Sequence, residues 1–185
     1  MSDEYKKGSS SRVTLSQLML PSHSNFSGKI HGGYLLSLMD QIAFASGSKF
    51  SGKYCVTASV DRVDFLNPIE VGELVTLKAS VIFVGNSSMV VGIRVEAQNI
   101  QTGKVKHCNS SYFTMIAKDE QGNNARVPRL ILTSKEEVLR FVKTTQRLKL
   151  RHSYAELCAD FDGDMQQAVE QITANYQVQV QLGNS

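Results

Sequence analysis

The residues best suited to chemistry are an aspartate inside an apolar helix, two glycines at that helix's mouth and an asparagine in the loop before it. They share one stretch, Asn25-Phe-Ser-Gly-Lys-Ile-His-Gly-Gly-Tyr-Leu-Leu-Ser-Leu-Met-Asp40. On a helical wheel Asp40 lies between Leu36, Phe44 and Gly47, and no basic residue stands within one turn of it. Burying an unpaired carboxylate is costly or forces it to take up a proton, so apolar helices seldom carry a lone acid. The spacing therefore predicts a shielded Asp40. Its role is a general base or nucleophile, or a carboxylate hydrogen-bonded to a strand or a partner subunit. Gly32 and Gly33 precede the helix where its first amides lack internal partners and the dipole is positive. Without a Cβ, that turn lets a carbonyl oxygen approach as it gains charge, although a Gly-Gly pair by itself requires only a tight turn. Asn25 has the chemistry to orient a water or donate to an oxyanion, or it is an ordinary turn asparagine. His23 and His31 lack a carboxylate orienter nearby in sequence, which favours backbone hydrogen bonding near the turn.

The elements that must position these residues follow from periodicity. Val13 to Leu20 reads as a first strand stopped by Pro21, and His23 to Gly33 as a loop. Tyr34 to Lys49 reads as a helix whose apolar surface runs nearly around the cylinder, ended by Ser51-Gly52. Four strand-like runs follow: Tyr54 to Leu66, Leu74 to Val84, Met89 to Asn99 and Val105 to Ala117. Turns at Asn67-Pro68 with Val71-Gly72, at Gly85-Asn86-Ser87 and at Gln101-Thr102-Gly103-Lys104 make them antiparallel neighbours. The pattern predicts an α+β architecture, a curved antiparallel sheet wrapped around one long helix. Ser134-Lys-Glu-Glu137 reads as a capping box opening a basic helix to about Leu150, and two shorter helical stretches follow. The expected organisation is a disordered 1–11, a domain over 12–132, a basic helix over 133–151 and a helical tail over 152–185.

Composition excludes several classes. The 185 residues carry a net charge of +3, too small and dispersed to argue for nucleic acid. No apolar run approaches the ~20 residues of a membrane span, and the polar start has no signal-like apolar region, which points to a cytoplasmic protein. Cys55, Cys108 and Cys158 are widely spaced, as expected of reduced thiols, with no zinc spacing. Asp160, Asp162 and Asp164 lack the closing glutamate of a calcium loop, so no metal is expected.

The run Asn25-x-x-Gly28-x-x-His31-Gly32-Gly33, followed by Leu38-Met39-Asp40, resembles the acyl-CoA thioester hydrolases of the hotdog fold. Val56-Thr57-Ala58-Ser59-Val60-Asp61, Asp64-Phe65-Leu66-Asn67-Pro68-Ile69, Val71-Gly72 and Gly85-Asn86-Ser87-Ser88-Met89 extend the likeness from Leu20 to Ala117. The resemblance implies a helix wrapped in a sheet, two such domains pairing into a double hotdog, and a trimer of dimers. It implies hydrolysis of fatty acyl-CoA, with Asn25 from one subunit and Asp40 from the other as the catalytic pair. The thioester carbonyl would sit near Gly32 and Gly33, with His31 and Thr57 as supporting polar groups. No cofactor is implied, since coenzyme A is part of the substrate. An anionic coenzyme A calls for basic groups at the entrance, and Lys104, Lys106, Arg126 and Arg129 beside the Ser87-Ser88 turn are the candidates. The acyl tail would run near Leu36 and Phe44. The stretch after about Arg151 has no counterpart in that family. Two rivals remain: a non-catalytic acyl-CoA-sensing hotdog protein, and a hotdog acyl hydratase. The first needs a DNA-binding segment for which 11 leading residues are too few, and the second a catalytic His motif that His31 does not supply.

Overall fold

Alternation of more and less buried residues, broken near the bulges, builds the sheet. In the computed structural model, which describes residues 4–157 and 163–181, β2 (Val13–Leu18), β3 (Tyr54–Val60), β4 (Glu73–Val84), β5 (Ser88–Asn99) and β6 (Val105–Lys118) form one five-stranded sheet. Its order is β2-β4-β5-β6-β3, antiparallel throughout. Val75, Leu77, Ala79 and Val81 of β4 face inward, as do Met89, Val91, Ile93 and Val95 of β5. Register shifts at Thr57/Ser59, Val81/Phe83 and Val95/Glu96 mark bulges. Each adds local twist, and together they curl the sheet.

The helix α1 (Gly32–Ser51) lies in that curl, about 30 Å long for its 20 residues. It buries Leu35, Leu38, Met39, Ile42, Ala43, Gly47 and Phe50 against the strands. The expected stop at Ser51-Gly52 is present, with Gly52 in the left-handed conformation at φ 68°. Helix and strands match the expected order, so the α+β hotdog architecture holds.

Three differences have physical causes. The leading residues were expected to be disordered, yet Tyr5–Lys7 form β1, parallel to β7 (Arg129–Ile131), and Gly8–Ser11 make a 3₁₀ turn. The anchor is Ser11, which is fully buried. Its hydroxyl donates to the Gly8 carbonyl at 2.6 Å and accepts the Val81 amide at 2.8 Å, while its carbonyl accepts the Ser46 hydroxyl at 2.9 Å. Composition shows polarity but not such a buried polar hub. The expected strand over 54–66 ends at Val60, beyond the bulge. Residues 61–67 stay on β6 through isolated bonds, Asp61 N–H to Tyr112 and Leu66 N–H to Cys108. The basic helix α2 (Lys135–Leu157) runs further than expected, and α3 (Met165–Asn175) follows, capped by Asp164. The stretch expected around Phe161, together with Cys158, Asp160 and Asp162, lies outside the described residues. The chain divides into two compact units, Met1–Thr145 and Gln146–Ser185.

The capping box at α2 is half as expected. Ser134 Oγ accepts the Glu137 amide at 3.2 Å, but the Glu137 carboxylate reaches back to Thr133, accepting its amide at 2.6 Å and its hydroxyl at 2.9 Å. The Thr133 amide, then its hydroxyl and the charge of Arg12, hold the Glu137 carboxyl below its ordinary value of 4.5. A lowered folded value means the bonds stabilise above the unfolded value and are lost as pH falls through the folded one. The stability difference between the protein and Glu137→Gln should therefore shrink as pH drops below about 4.5, read as urea midpoints at pH 7 and pH 3.5.

Candidate active site

Asn25 is placed by its own loop. Gly28, at φ 74°, turns the chain so that Ser24 and Ile30 bridge, and the Asn25 amide donates to the Lys29 carbonyl at 2.7 Å. Asn25 Oδ1 accepts the Ser27 amide (3.0 Å), the Ser27 hydroxyl (2.7 Å) and the Lys29 amide (3.2 Å). These donors fix the side-chain orientation: the oxygen is committed, and Nδ2 is the half left to donate outward. Lys29 pairs with Glu70, which ties this loop to the turn before β4. Lys29 in turn lowers the Glu70 carboxyl from its ordinary value by hydrogen bonding and charge.

The mouth of α1 is anchored by backbone. His31 N–H donates to His23 O at 2.9 Å and Ile30 N–H to Ile69 O at 2.8 Å. The His31 carbonyl takes the amides of Tyr34 (3.1 Å) and Leu35 (3.2 Å), which leaves Gly32 and Gly33 as the open first-turn donors. A Cβ on Gly33 would meet nothing within 4 Å, so that amide is approachable. Gly32 faces the Phe65 ring, 3.2 Å from where its Cβ would stand. Phe65 is half exposed and walls one side of the helix start. In the sequence its one signal is an aromatic just ahead of Asn67-Pro68, inside a turn motif. His23 stacks on Tyr34, centroids 4.0 Å apart, and its Nδ1 accepts the Leu20 amide, as backbone bonding near the turn predicted. The His31 side chain is exposed and makes no cap bond.

Asp40 differs from the expectation. It is exposed in the protomer, not shielded. The reason is geometric: the sheet covers only one side of α1, and Asp40 shares the open side with partly exposed Leu36 and with Phe44, which is 39% exposed. Its carboxylate is nonetheless held. Thr57 Oγ1 on β3 donates to Asp40 Oδ1 at 2.5 Å, and among the described residues no Lys or Arg side chain pairs with it. Thr57, expected as a supporting polar group, is thus in hydrogen-bond contact with Asp40, and among the described residues no hydrogen bond to Asp40 Oδ2 is formed.

The basic set does not converge in one protomer. Arg126 flanks the Ser87-Ser88 turn, since the Val127 amide donates to Asn86 O at 3.0 Å. Lys104 just before β6 and Lys106 at its start, which pairs with the end of β5, stand at the opposite end of the hairpin from Ser88, roughly 35 Å away. Lys106 is committed to Glu73 at 2.9 Å. Arg129 belongs to the β1–β7 pair. The expectation of one basic entrance beside Ser87 and Ser88 is corrected to two separate groups, because antiparallel pairing sends successive turns to opposite ends. Among the described residues no three His, Cys, Asp or Glu side chains gather as a metal site, and no helix is long and apolar enough to cross a membrane.

A curled antiparallel sheet wrapped around one long helix is the hotdog architecture. Residues 27–104 match the thioesterase superfamily model. Protein VdlD of Helicobacter pylori is 39% identical over 140 residues, covering 76% of this chain and 80% of that protein. A solved apo-hexameric acyl-CoA thioesterase has a TM-score of 0.80 at 33% identity, covering 82% of this chain and 97% of the other. An acyl-CoA hydrolase from Staphylococcus aureus, solved with butyryl coenzyme A, coenzyme A and coenzyme A disulfide, has a TM-score of 0.77 at 28% identity, covering 91% and 99%. The chain belongs to the thioesterase superfamily, among its hotdog-fold acyl-CoA thioester hydrolases.

Proposed function

We propose that the protein hydrolyses fatty acyl-CoA thioesters to free acid and coenzyme A at a site completed between two protomers. One observation carries this reading. Asp40 stands seven residues beyond Gly33 on the same helix, ~10 Å along its axis. A carbonyl held at the helix start is out of reach of that protomer's own carboxylate, whereas a partner's Asp40 has no such limit. The edge of β3, which carries Thr57, is paired by β6 on one side only among the described residues. Joining two such edges would extend the sheet across a dimer and set the open faces of two α1 helices together. Dimers of this kind then assemble by threes, as the hexameric relative suggests.

The chemistry follows from the held groups. The thioester carbonyl oxygen takes hydrogen bonds from the Gly32 and Gly33 amides and from Asn25 Nδ2, which meet the negative charge as it develops. Thr57 holds one oxygen of Asp40. The other either takes a proton from the water that attacks the carbonyl carbon, or attacks that carbon itself. In both routes the carbon–sulfur bond breaks and coenzyme A leaves as the thiol after taking up a proton; in the second, water then cleaves the acyl-aspartyl anhydride, which releases the free acid and restores the Asp40 carboxylate. The acyl tail lies along Leu36 and Phe44. Arg126 with the Ser87-Ser88 turn, and Lys104 of a different protomer, meet the anionic end of coenzyme A. Water and side chains suffice, with no separate cofactor. The setting is the cytoplasm, where the buried thiols Cys55 and Cys108 stay reduced. Supporting the assignment, the S. aureus enzyme has also been solved with alanine in place of an asparagine, an aspartate and a threonine spaced at the same intervals as Asn25, Asp40 and Thr57.

Subunit complementation tests it. Asn25→Ala and Asp40→Ala homodimers should each be nearly inactive in a thiol-release assay with butyryl- to palmitoyl-CoA. After unfolding and refolding together, about a quarter of wild-type activity should return, since half the dimers are mixed and each carries one intact site. No recovery in properly refolded mixtures refutes a shared site.

A further inference from the structure

Contacts show which side of α1 faces β3. A Cβ on Gly47 would stand 3.6 Å from Cys55 Sγ of β3, and Asp40 meets Thr57 of the same strand. Residues three and four apart share a helix face, so Gly33, Leu36, Asp40, Phe44 and Gly47 lie along that side. Asp40 is the one charged residue of the five. One turn beyond it the Phe44 ring meets the Tyr54 ring of β3 edge-on, centroids 5.5 Å apart and planes at 62°. Edge-to-face contact is a preferred aromatic geometry, so each ring orients the other. Both rings nevertheless stay open in the protomer, Phe44 39% and Tyr54 64% exposed. Adjoining exposed aromatics next to a held carboxylate mark a place for an apolar ligand.

Position and charge select that ligand. Phe44 stands one helical turn past Asp40, ~6 Å along the axis, and the mouth of the helix lies the other way. An extended alkyl chain advances about 1.3 Å per carbon, so a tail whose carbonyl sits at Asp40 reaches the rings at about its fifth or sixth carbon. Acetyl and butyryl chains end short of them. The phosphates of coenzyme A do not suit this end, since two rings with a carboxylate one turn away offer them no positive charge.

We propose that Phe44 and Tyr54 form an acyl subsite that reads chain length, making acyl groups of about six carbons and longer the favoured substrates. The proposal rests on the acyl-CoA hydrolase reading above and names the acyl class for the same site. The test measures kcat/KM of the whole protein from acetyl- to octanoyl-CoA by thiol release, with oligomeric state followed by light scattering. Octanoyl-CoA should exceed butyryl-CoA about tenfold, since each methylene enclosed against the rings is worth about fourfold and only part of the added length meets them. Tyr54→Ala and Phe44→Ala should each cut that ratio about threefold or more, whereas Tyr54→Phe, which keeps the ring, should preserve it. Both side chains lie outside the packed core, so their truncation leaves the fold intact. A flat or falling profile from butyryl to octanoyl overturns the subsite and leaves the hydrolase intact. So does a ratio that survives in both alanine variants, whether or not their oligomers weaken, the result expected if the rings only seal a contact between copies. Release of coenzyme A from none of the thioesters overturns the hydrolase reading and the subsite together.

Discussion

Asp40→Ala is expected to lower kcat for acyl-CoA hydrolysis by roughly 10²–10⁴-fold, the range for removing a positioned proton-transfer group. The same substitution should leave the thermal midpoint within about 2 °C, because exposed positions outside a packed core contribute little to stability. Both halves follow from one geometry. The carboxylate lies on the open side of α1, exposed in the protomer, and among the described residues Thr57 is its one side-chain hydrogen-bond donor. A residue kept for stability would be enclosed and multiply paired. A large fall in turnover with an unshifted melting curve separates chemistry from folding. Near-wild-type turnover in the folded variant removes Asp40 from the mechanism, and with it the idea that two protomers share the site. Thr57→Val should fall between the two, keeping the carboxylate but freeing its orientation.

Phe50→Ala should do the reverse. Phe50 is fully buried in the last turn of α1. Removing an enclosed aromatic side chain costs about 3–5 kcal/mol, the lost transfer energy plus the cavity left behind. For a unit of this size that lowers the thermal midpoint by about 10 °C or more. Phe50→Leu, which refills most of the volume, should lose less than half as much. The Phe50 carbonyl also accepts Lys6 Nζ at 3.2 Å, so the last turn of α1 is tied to β1 as well as to the sheet. Activity per folded molecule should persist in the leucine variant, because Phe50 lies at the far end of α1 from Gly32 and Gly33. A loss of turnover matching that of Asp40→Ala, at an unchanged midpoint, contradicts this division of labour.

Local patterns made most of the frame legible. Strand-like runs between turn residues marked β4, β5, β6 and the start of β3, and the Gly-Gly start and Ser51-Gly52 stop bracketed α1 to within two residues. These signals survive in one dimension because each concerns neighbours along the chain. Asn25, Gly32, Gly33, Asp40 and Thr57 were all visible as candidates, and the Asp40–Thr57 hydrogen bond joins two of them. Missed were the pairings made at long range. Residues 5–7 are held by β7, more than a hundred residues away, and Ser11 by Val81 and Ser46. Nothing local distinguishes those residues from a solvated lead-in.

By itself the sequence determined the central helix and the main strands of the sheet, and which polar groups sit at the mouth and on the stripe of that helix. Those follow from backbone sterics and from the periodicity of apolar side chains. Only the tertiary structure decided which side of that helix is covered. A five-stranded sheet reaches around part of a helical cylinder and no further, so Asp40, shielded on a helical wheel, lies open beside β3. Antiparallel pairing set Lys104 and the Ser87-Ser88 turn that Arg126 flanks at opposite ends of one hairpin, because antiparallel strands carry successive turns apart whatever charge those turns bear.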